Sequence, residues 1–301
     1  MLIVTALQEY LNAQNTKPST KGAYQSFINK HIAPYFGITE CGELSADKIE
    51  GFAGHLSDGG LSASKVKAVV GFMKKGLEGR YERDIFSLDI KTRRTKGIVA
   101  LNLQEQKILE AKARLSEPST KVGVFLCLYT GIKTGELCGL MWQDVCFDTK
   151  NINVNRTVQR VRNEGGDPSA KTKVLLADLT GRSRRSIPIA DFLADMLREH
   201  RNTCPGEYVI SNSAHPAEPR HVQYRFKSLL REAGLAPTSF NELRHTFAVR
   251  ALESDFCIST LSEILGHASP LVTLGRYADN LGTKDLKRFY MVRFADRLSG
   301  F

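Results

Sequence analysis

Toward its C-terminus the chain reads Asn241-Glu-Leu-Arg244-His-Thr, then Leu265-Gly-His267, then Tyr277, and upstream stands Thr130-Gly-Ile-Lys133-Thr-Gly-Glu136-Leu. A phenol, an imidazole, a guanidinium and an ammonium gathered in one place have a definable use. A tyrosine can attack a phosphodiester and hold it as a covalent ester. Arginine suits the non-bridging oxygens because its planar fork reaches two of them at once and never deprotonates. A separate acid must then protonate the departing oxygen. Singly, each residue has a plainer use. Arg244 could be a helix-surface ion-pair partner and Tyr277 a core aromatic. His267, after Gly266, suits a helix C-terminus, as Glu136 suits an N-terminus.

These residues need elements to hold them. The first segment reads as short helices. Val4, Leu7, Tyr10 and Leu11 form one stripe; Ser19 opens a second helix that carries Tyr24, Phe27, Ile28 and Ile32 until Pro34 and Gly37. Ser45 starts a third with Ile49, Phe52 and Leu56, and Ser62 a fourth with Val66, Val69, Val70, Phe72 and Met73. The polar face of that fourth helix holds Lys65, Lys67, Lys74 and Lys75. A helical domain over residues 1–90 is followed by a charged linker at 91–97, Lys91-Thr-Arg93-Arg94-Thr-Lys96-Gly, and a second domain from residue 98 to 301.

In the second domain, helices are expected at Asn102–Ala113, Val122–Tyr129 and Glu136–Trp142. The period then changes to two: Ile152, Val154 and Val158 alternate, and Arg185-Ser-Ile187-Pro-Ile189 reads as another short strand. Between them, Val174–Gly181 expands a turn. Helices return at Ala190–His200, Val222–Ala233, Ser239–Glu253 and Ile258–Leu265, with Gly266 ending the last. An amphipathic helix over about 284–298 offers Leu286, Phe289, Tyr290 and Phe294 for packing.

The chain has 301 residues, 42% of them hydrophobic and 25% charged, enough apolar material for one large or two ordinary domains. Its net charge is +10, with a pI near 9.3, which favours a polyanionic partner. The basic excess begins in the linker and runs on through Arg156, Arg160, Arg162, Lys171, Lys173, Arg182, Arg184 and Arg185. The six cysteines form no C-x-x-C pair and several lie in apolar runs, which argues against a zinc site and fits a reducing cytoplasm. The first ten residues lack a basic n-region and meet Glu9 early, so neither a secretory signal nor a membrane span is expected there.

Two separated motifs agree in order and context. Leu243-Arg-His-Thr, Ser262-Glu-Ile-Leu-Gly-His267 and Thr273-Leu-Gly-Arg-Tyr277 form one; Thr130-Gly-x-x-x-Gly-Glu136-Leu-x-x-Leu140-x-Trp142-x-Asp144 forms the other. Together they resemble the tyrosine recombinase, or phage integrase, family. Ser19-Thr20, Tyr24, Ile28 and His31-Ile-x-Pro34-x-Phe-Gly37 extend the likeness into the first domain. The resemblance implies a mainly α (α+β) fold: a helical, SAM-like core-binding domain, then a catalytic domain with a small antiparallel sheet.

It further implies site-specific cleavage and rejoining of double-stranded DNA through a 3′-phosphotyrosine at Tyr277. Arg244 would clamp the phosphate and His267 would donate to it. Lys171 would protonate the leaving oxygen, with Lys173 the competing choice, and Glu136 would support the site. Lys91, Arg93, Arg94, Lys96, Lys65 and Lys67 become candidates for DNA contact. No metal or nucleotide cofactor is implied. The implied assembly is a homotetramer on paired sites, with the tail helix docked on a neighbour and room for an accessory DNA-bending or directionality factor. A mobile element is the implied source.

The chain departs from the family at Lys133, where arginine is usual, and at Asn241, where histidine is usual. Lysine keeps the charge but loses the fork, and asparagine cannot accept a proton at neutral pH. Weakened catalysis is therefore expected. The rival readings are a catalytically impaired DNA-binding paralogue and a type IB topoisomerase, which shares the cleavage chemistry.

Overall fold

The computed structural model describes residues 1–81, 85–87, 98, 100–163 and 172–277. The expected linker with Lys91, Arg93, Arg94 and Lys96, the turn holding Lys171, and the tail helix at 284–298 lie outside the described residues. The fold is mainly α with small sheets, and the chain divides into two compact units: residues 1–95 with 161–173, and residues 96–160 with 174–301.

In the first unit, α1 (Ile3–Ala13), α2 (Pro18–Phe27), α3 (Ala33–Phe36), α4 (Ala46–Asp58) and α5 (Ala63–Gly76) close around one core. The buried stripe of α1 is Ile3, Ala6, Leu7 and Leu11; Leu7 and Leu11 were expected there, while Val4 and Tyr10 pack at its margin. Ser45 and Ser62 cap α4 and α5 as expected, each Oγ accepting from the backbone N–H three residues on at 3.3 Å. α2 differs: it starts at Pro18, not at a capping Ser19. Proline's φ is already helical, and its missing N–H would have had no partner in the first turn. A π-helical turn over Ile28–Ile32 then leads into α3, so Pro34 sits in a new first turn and does not end the helix. Tyr24 stacks on Phe72 with centroids 4.4 Å apart, and Lys65 Nζ lies 4.5 Å from the Phe27 ring centroid. Lys65 and Lys67 are both exposed on α5.

The second unit contains α6 (Leu103–Arg114), α7 (Pro118–Thr130), α8 (Thr134–Cys138), α9 (Asp191–Thr203), α10 (Pro219–Glu232), α11 (Asn241–Glu253), α12 (Ile258–Leu265) and α13 (Pro270–Tyr277). After its polar first turn α7 is mostly apolar, with Val122, Val124, Phe125, Leu126 and Cys127 fully buried. Such a helix belongs in the interior, and α6, α9, α10 and α11 pack against it. Asn102 and Glu105 form a reciprocal capping box at the start of α6, at 2.9 and 2.8 Å. The helix expected over Glu136–Trp142 stops at Cys138. Beyond it, the Met141 N–H goes to the Asp144 carboxylate at 3.1 Å and the Trp142 indole to the Cys204 carbonyl at 3.2 Å, which carries the chain off the helix axis.

The strands are β1 (Val145–Cys146), β2 (Asn151–Val154), β3 (Arg156–Arg162), β4 (Thr172–Asp178) and β5 (Arg185–Pro188). β1, β2 and β5 form an antiparallel sheet in that order, with Ile152 opposite both Val145 and Ile187; β3 pairs with β4. Val174–Gly181 is therefore not simply an expanded turn, since β4 occupies it through Asp178; Thr172 and Val174 favour extended backbone.

Two helices end in the same way. Gly131 closes α7 at φ +64° and Gly266 closes α12 at φ +63°. Gly131 is further constrained, because a Cβ there would lie 2.5 Å from Phe247 Cδ1 and 2.8 Å from Leu265 Cδ2. Gly234 has a similar φ of +67° but open space around it. Gly234→Ala should cost about 1 kcal/mol, the backbone strain alone. Gly131→Ala should cost about 3 kcal/mol, since overpacking adds to that strain. Urea unfolding midpoints of the two variants, measured side by side, check the difference.

Candidate active site

Arg244 lies on α11, facing the interior, and is 2% exposed. An arginine placed there needs a carboxylate, a path to solvent or an anion. Its Nη1 donates to the Gly131 carbonyl at 2.6 Å and its Nη2 to the Leu265 carbonyl at 2.6 Å. Both acceptors belong to helix C-termini, where carbonyls lack intrahelical partners and the helix dipole is negative. The two left-handed glycines thus finish the helices whose ends receive one guanidinium. Burial pushes the Arg244 pKa down, opposed by the charge of Glu136, yet arginine stays protonated at any physiological pH. These bonds leave Nε–H and one Nη1–H of a side chain that lines a surface cleft.

Glu136 is 2% exposed at the start of α8. Arg185 from β5 grips it with both terminal nitrogens, at 3.1 and 2.8 Å. Its Oε2 also accepts the Lys133 backbone N–H at 3.0 Å, and Lys133 Nζ stands 3.3 Å from Oε1. Burial alone would raise the Glu136 pKa; Arg185, with help from Lys133, outweighs it and holds the carboxylate below its ordinary value. The carboxylate is therefore ionised and already occupied. It positions Lys133 and anchors β5 to α8. Arg185 also donates through Nε to the Ile264 carbonyl, tying in the last turn of α12.

His267 follows α12. Its Nε2 is 3.1 Å from Arg244 Nη2 and its Nδ1 is 2.7 Å from Thr273 Oγ1. Because a guanidinium only donates, Nε2 must be the acceptor, which puts the ring proton on Nδ1 and directs it to Thr273. His267 is thus neutral, with both nitrogens engaged in orienting Arg244. Burial first, then the charge of Arg244, lowers its pKa to about 4. Tyr277 ends α13 and is fully buried, its hydroxyl 2.9 Å from His245 Nδ1. Burial raises the phenol pKa, against the pull of Arg244 and Arg276.

A cleft of about 560 Å³ brings several of these groups together. Its lining includes Lys133, Arg220, Arg244 and Arg276, with Asn241 and His245 beside them, and among the described residues no carboxylate. Burial lowers the Lys133 pKa, with Glu136 opposing. Asn241 is the exposed first residue of α11. Lys173 is exposed on β4.

The basic run that suggested a polyanion surface is partly used inside the fold. Arg156 pairs with Asp144 at 2.8 Å, Arg160 with Glu218, Arg182 with the Ala268 carbonyl, Arg184 with Asn155, and Arg185 with Glu136. The cleft cations Arg220 and Arg276, and His245 at the tyrosine, were not among the expected site residues. Arg276 adjoins Tyr277 in the motif and could have been noticed there; nothing local marks Arg220.

Residues 102–283 match the phage integrase family, so the chain belongs to that family. It is similar to a XerC-like tyrosine recombinase of Caldanaerobacter subterraneus subsp. tengcongensis, 26% identical over 293 residues that cover 87% of this chain and 74% of that protein. It is also similar to the ICEBs1 integrase of Bacillus subtilis, 21% identical with the same coverage of each. Its fold resembles that of the Tn1549 transposon integrase solved with transposon right-end DNA: TM-score 0.82, 19% identity, 98% of this chain and 100% of that one. A lambda integrase tetramer bound to a Holliday junction matches at TM-score 0.66 and 18% identity, over 91% of this chain and 77% of that one. The class is that of site-specific DNA recombinases.

The depressed value at His267 has a pH consequence. Between about 4 and 6.5 the unfolded chain binds a proton that the folded site refuses. Stability therefore falls as pH drops through that window, by up to about 3 kcal/mol, and is insensitive to this group above it. His267→Gln should flatten this part of the acid limb in urea unfolding. In imidazole NMR of the intact protein, the His267 ring should titrate near 4.

Proposed function

We propose that this chain cleaves and rejoins duplex DNA through a 3′-phosphotyrosine bond to Tyr277. The observation that carries the reading is the cleft: among the described residues it has four cations and no lining carboxylate, and the buried Arg244 receives carbonyls and a histidine but no acid. A phosphodiester is the anion that completes it. Arg244 and Lys133 would stabilise the charge that builds on the non-bridging oxygens. Tyr277 would attack phosphorus, and the 5′ oxygen would leave with a proton from Lys171 or Lys173. Attack by a 5′ hydroxyl reverses the step. Because the ester to Tyr277 keeps the energy of the broken bond, neither a metal nor a nucleotide enters the scheme.

Lys133 offers a single point charge, shared with Glu136, where a fork would bind two oxygens. Cleavage is weakened accordingly. Asn241 can orient a phosphate but cannot relay a proton. The broader picture is a homotetramer on paired DNA sites, of mobile-element origin, with an accessory bending or directionality factor as an optional partner. The 1–90 domain and the basic linker at 91–97 would hold the backbone of the duplex, and the 284–298 helix would dock on the next subunit. The lambda integrase tetramer on its junction supports that assembly.

A second reading, a DNA-binding paralogue with impaired chemistry, is favoured by one observation besides Lys133 and Asn241. Tyr277 is fully buried and is not part of the cleft lining. A nicked suicide substrate separates the two. The enzyme reading expects a covalent adduct that Tyr277→Phe abolishes without weakening site binding, and that Lys133→Arg increases by about 10²-fold. Absence of adduct from both the parent chain and Lys133→Arg, at saturating binding, leaves the binder. For the linker, neutralising Lys91, Arg93, Arg94 and Lys96 together should weaken specific and random duplexes alike. It should also flatten the log–log salt dependence by up to about 0.9 per lost contact, as measured by fluorescence anisotropy.

A further inference from the structure

We infer that His245 is the group that accepts the Tyr277 phenolic proton during strand cleavage. The inference rests on the reading of Tyr277 as nucleophile and adds the base that this nucleophile needs. His245 is on α11 beside Arg244. Its Nδ1 stands 2.9 Å from the Tyr277 hydroxyl, with the two rings tilted at 59° and their centroids 5.7 Å apart. The same side chain lines the cationic cleft, so it adjoins both the attacking oxygen and the place for the phosphate.

Among the described residues of the site, the alternatives are closed by their chemistry. His267 has its acceptor nitrogen held by Arg244 and its N–H given to Thr273. Asn241, one turn before His245 on the same face of α11, cannot take a proton. Lys133, Arg220, Arg244 and Arg276 are donors only in their charged forms. Glu136 is ionised but already engaged by Arg185 and Lys133, and it does not line the cleft.

The electrostatics suit an acceptor. Burial lowers the His245 pKa, and the charged groups that act on it, Arg276 from α13 and Arg244 from its own helix, lower it further. The ring is therefore neutral at physiological pH, with a lone pair available. An arriving phosphodiester anion offsets those two cations and so makes the imidazolium easier to form when it is needed. In cleavage, the Tyr277 O–H bond breaks and its proton passes to Nδ1. The Tyr277 oxygen bonds to phosphorus as the bond from phosphorus to the 5′ oxygen breaks, and that oxygen takes a proton from a separate acid. In rejoining, the His245 imidazolium returns its proton to Tyr277.

The test uses the full chain on a nicked suicide substrate under single-turnover conditions. His245→Asn keeps a polar atom near the Nδ1 position and removes the basicity; His245→Gln is the second variant should the first fail to bind the site. The parent rate should fall at acid pH as His245 protonates. The variants should bind with unchanged affinity, cleave about 10²-fold more slowly and lose that acid limb. A rate within tenfold of the parent, or a faster one, would overturn the inference and make the hydrogen bond a latch on a buried tyrosine. Tyr277→Phe, run in parallel, keeps the two ideas apart. If that variant still forms adduct, the nucleophile itself is misassigned. If it forms none while His245→Asn cleaves normally, only the role of His245 fails.

Discussion

The second unit is organised around a buried guanidinium. Removing a charge from water is costly unless other groups replace the water. For Arg244 the replacement comes from the ends of two helices. α7 and α12 both finish on a left-handed glycine, and each turns a terminal carbonyl toward the arginine. His267 completes the set by accepting a third bond. The carbonyls carry partial charge only, so the cation is solvated but not neutralised. The cleft that Arg244 lines consequently keeps its positive potential.

Elsewhere the same unit pairs its charges. Glu136 and Arg185 form a buried bidentate pair, and Asp144 and Arg156 form another that is nearly as enclosed. These pairs place α8, β3 and β5 while adding little net field. Lys133 stands between the two regimes, close to Glu136 yet open to the cleft, with its side chain 41% exposed. Lys133 therefore sits at an electrostatic boundary and not in the core. Tyr277 is in the opposite situation. Its ring belongs to the small apolar cluster of α11, α12 and α13, and only its hydroxyl meets a polar group. Tyr277 is therefore held by apolar packing and by one polar contact at its hydroxyl, to His245.

Much of this was legible in the residues. Ser45, Ser62 and Asn102 mark helix starts because a side-chain oxygen beside three bare N–H groups acts locally. Ile258–Leu265 was readable from its period and from Gly266, and the helix has those bounds. The motif's short spacing brought Arg244, His267 and Tyr277 together because they lie on α11, just after α12 and at the end of α13. Errors fell where the backbone had a second local option, as at Pro18 against Ser19, or where side chains from distant segments drew the chain away, as at Met141 and Trp142.

The sequence by itself determined the helical build, the family, and the reactive groups gathered near the C-terminus, since all of these depend on period, capping and short spacing. Only the tertiary structure decided which charges are used and which remain available. Arg185 looked like one more cation of a basic run, yet it is matched to Glu136, 49 residues away. Arg220 had no local mark and lines the cleft. His245 was one letter of a motif and stands at the Tyr277 hydroxyl, 32 residues on. The reason is physical: the partner of a charge, and the proton acceptor of a phenol, are chosen by proximity in space, which no local pattern of residues encodes.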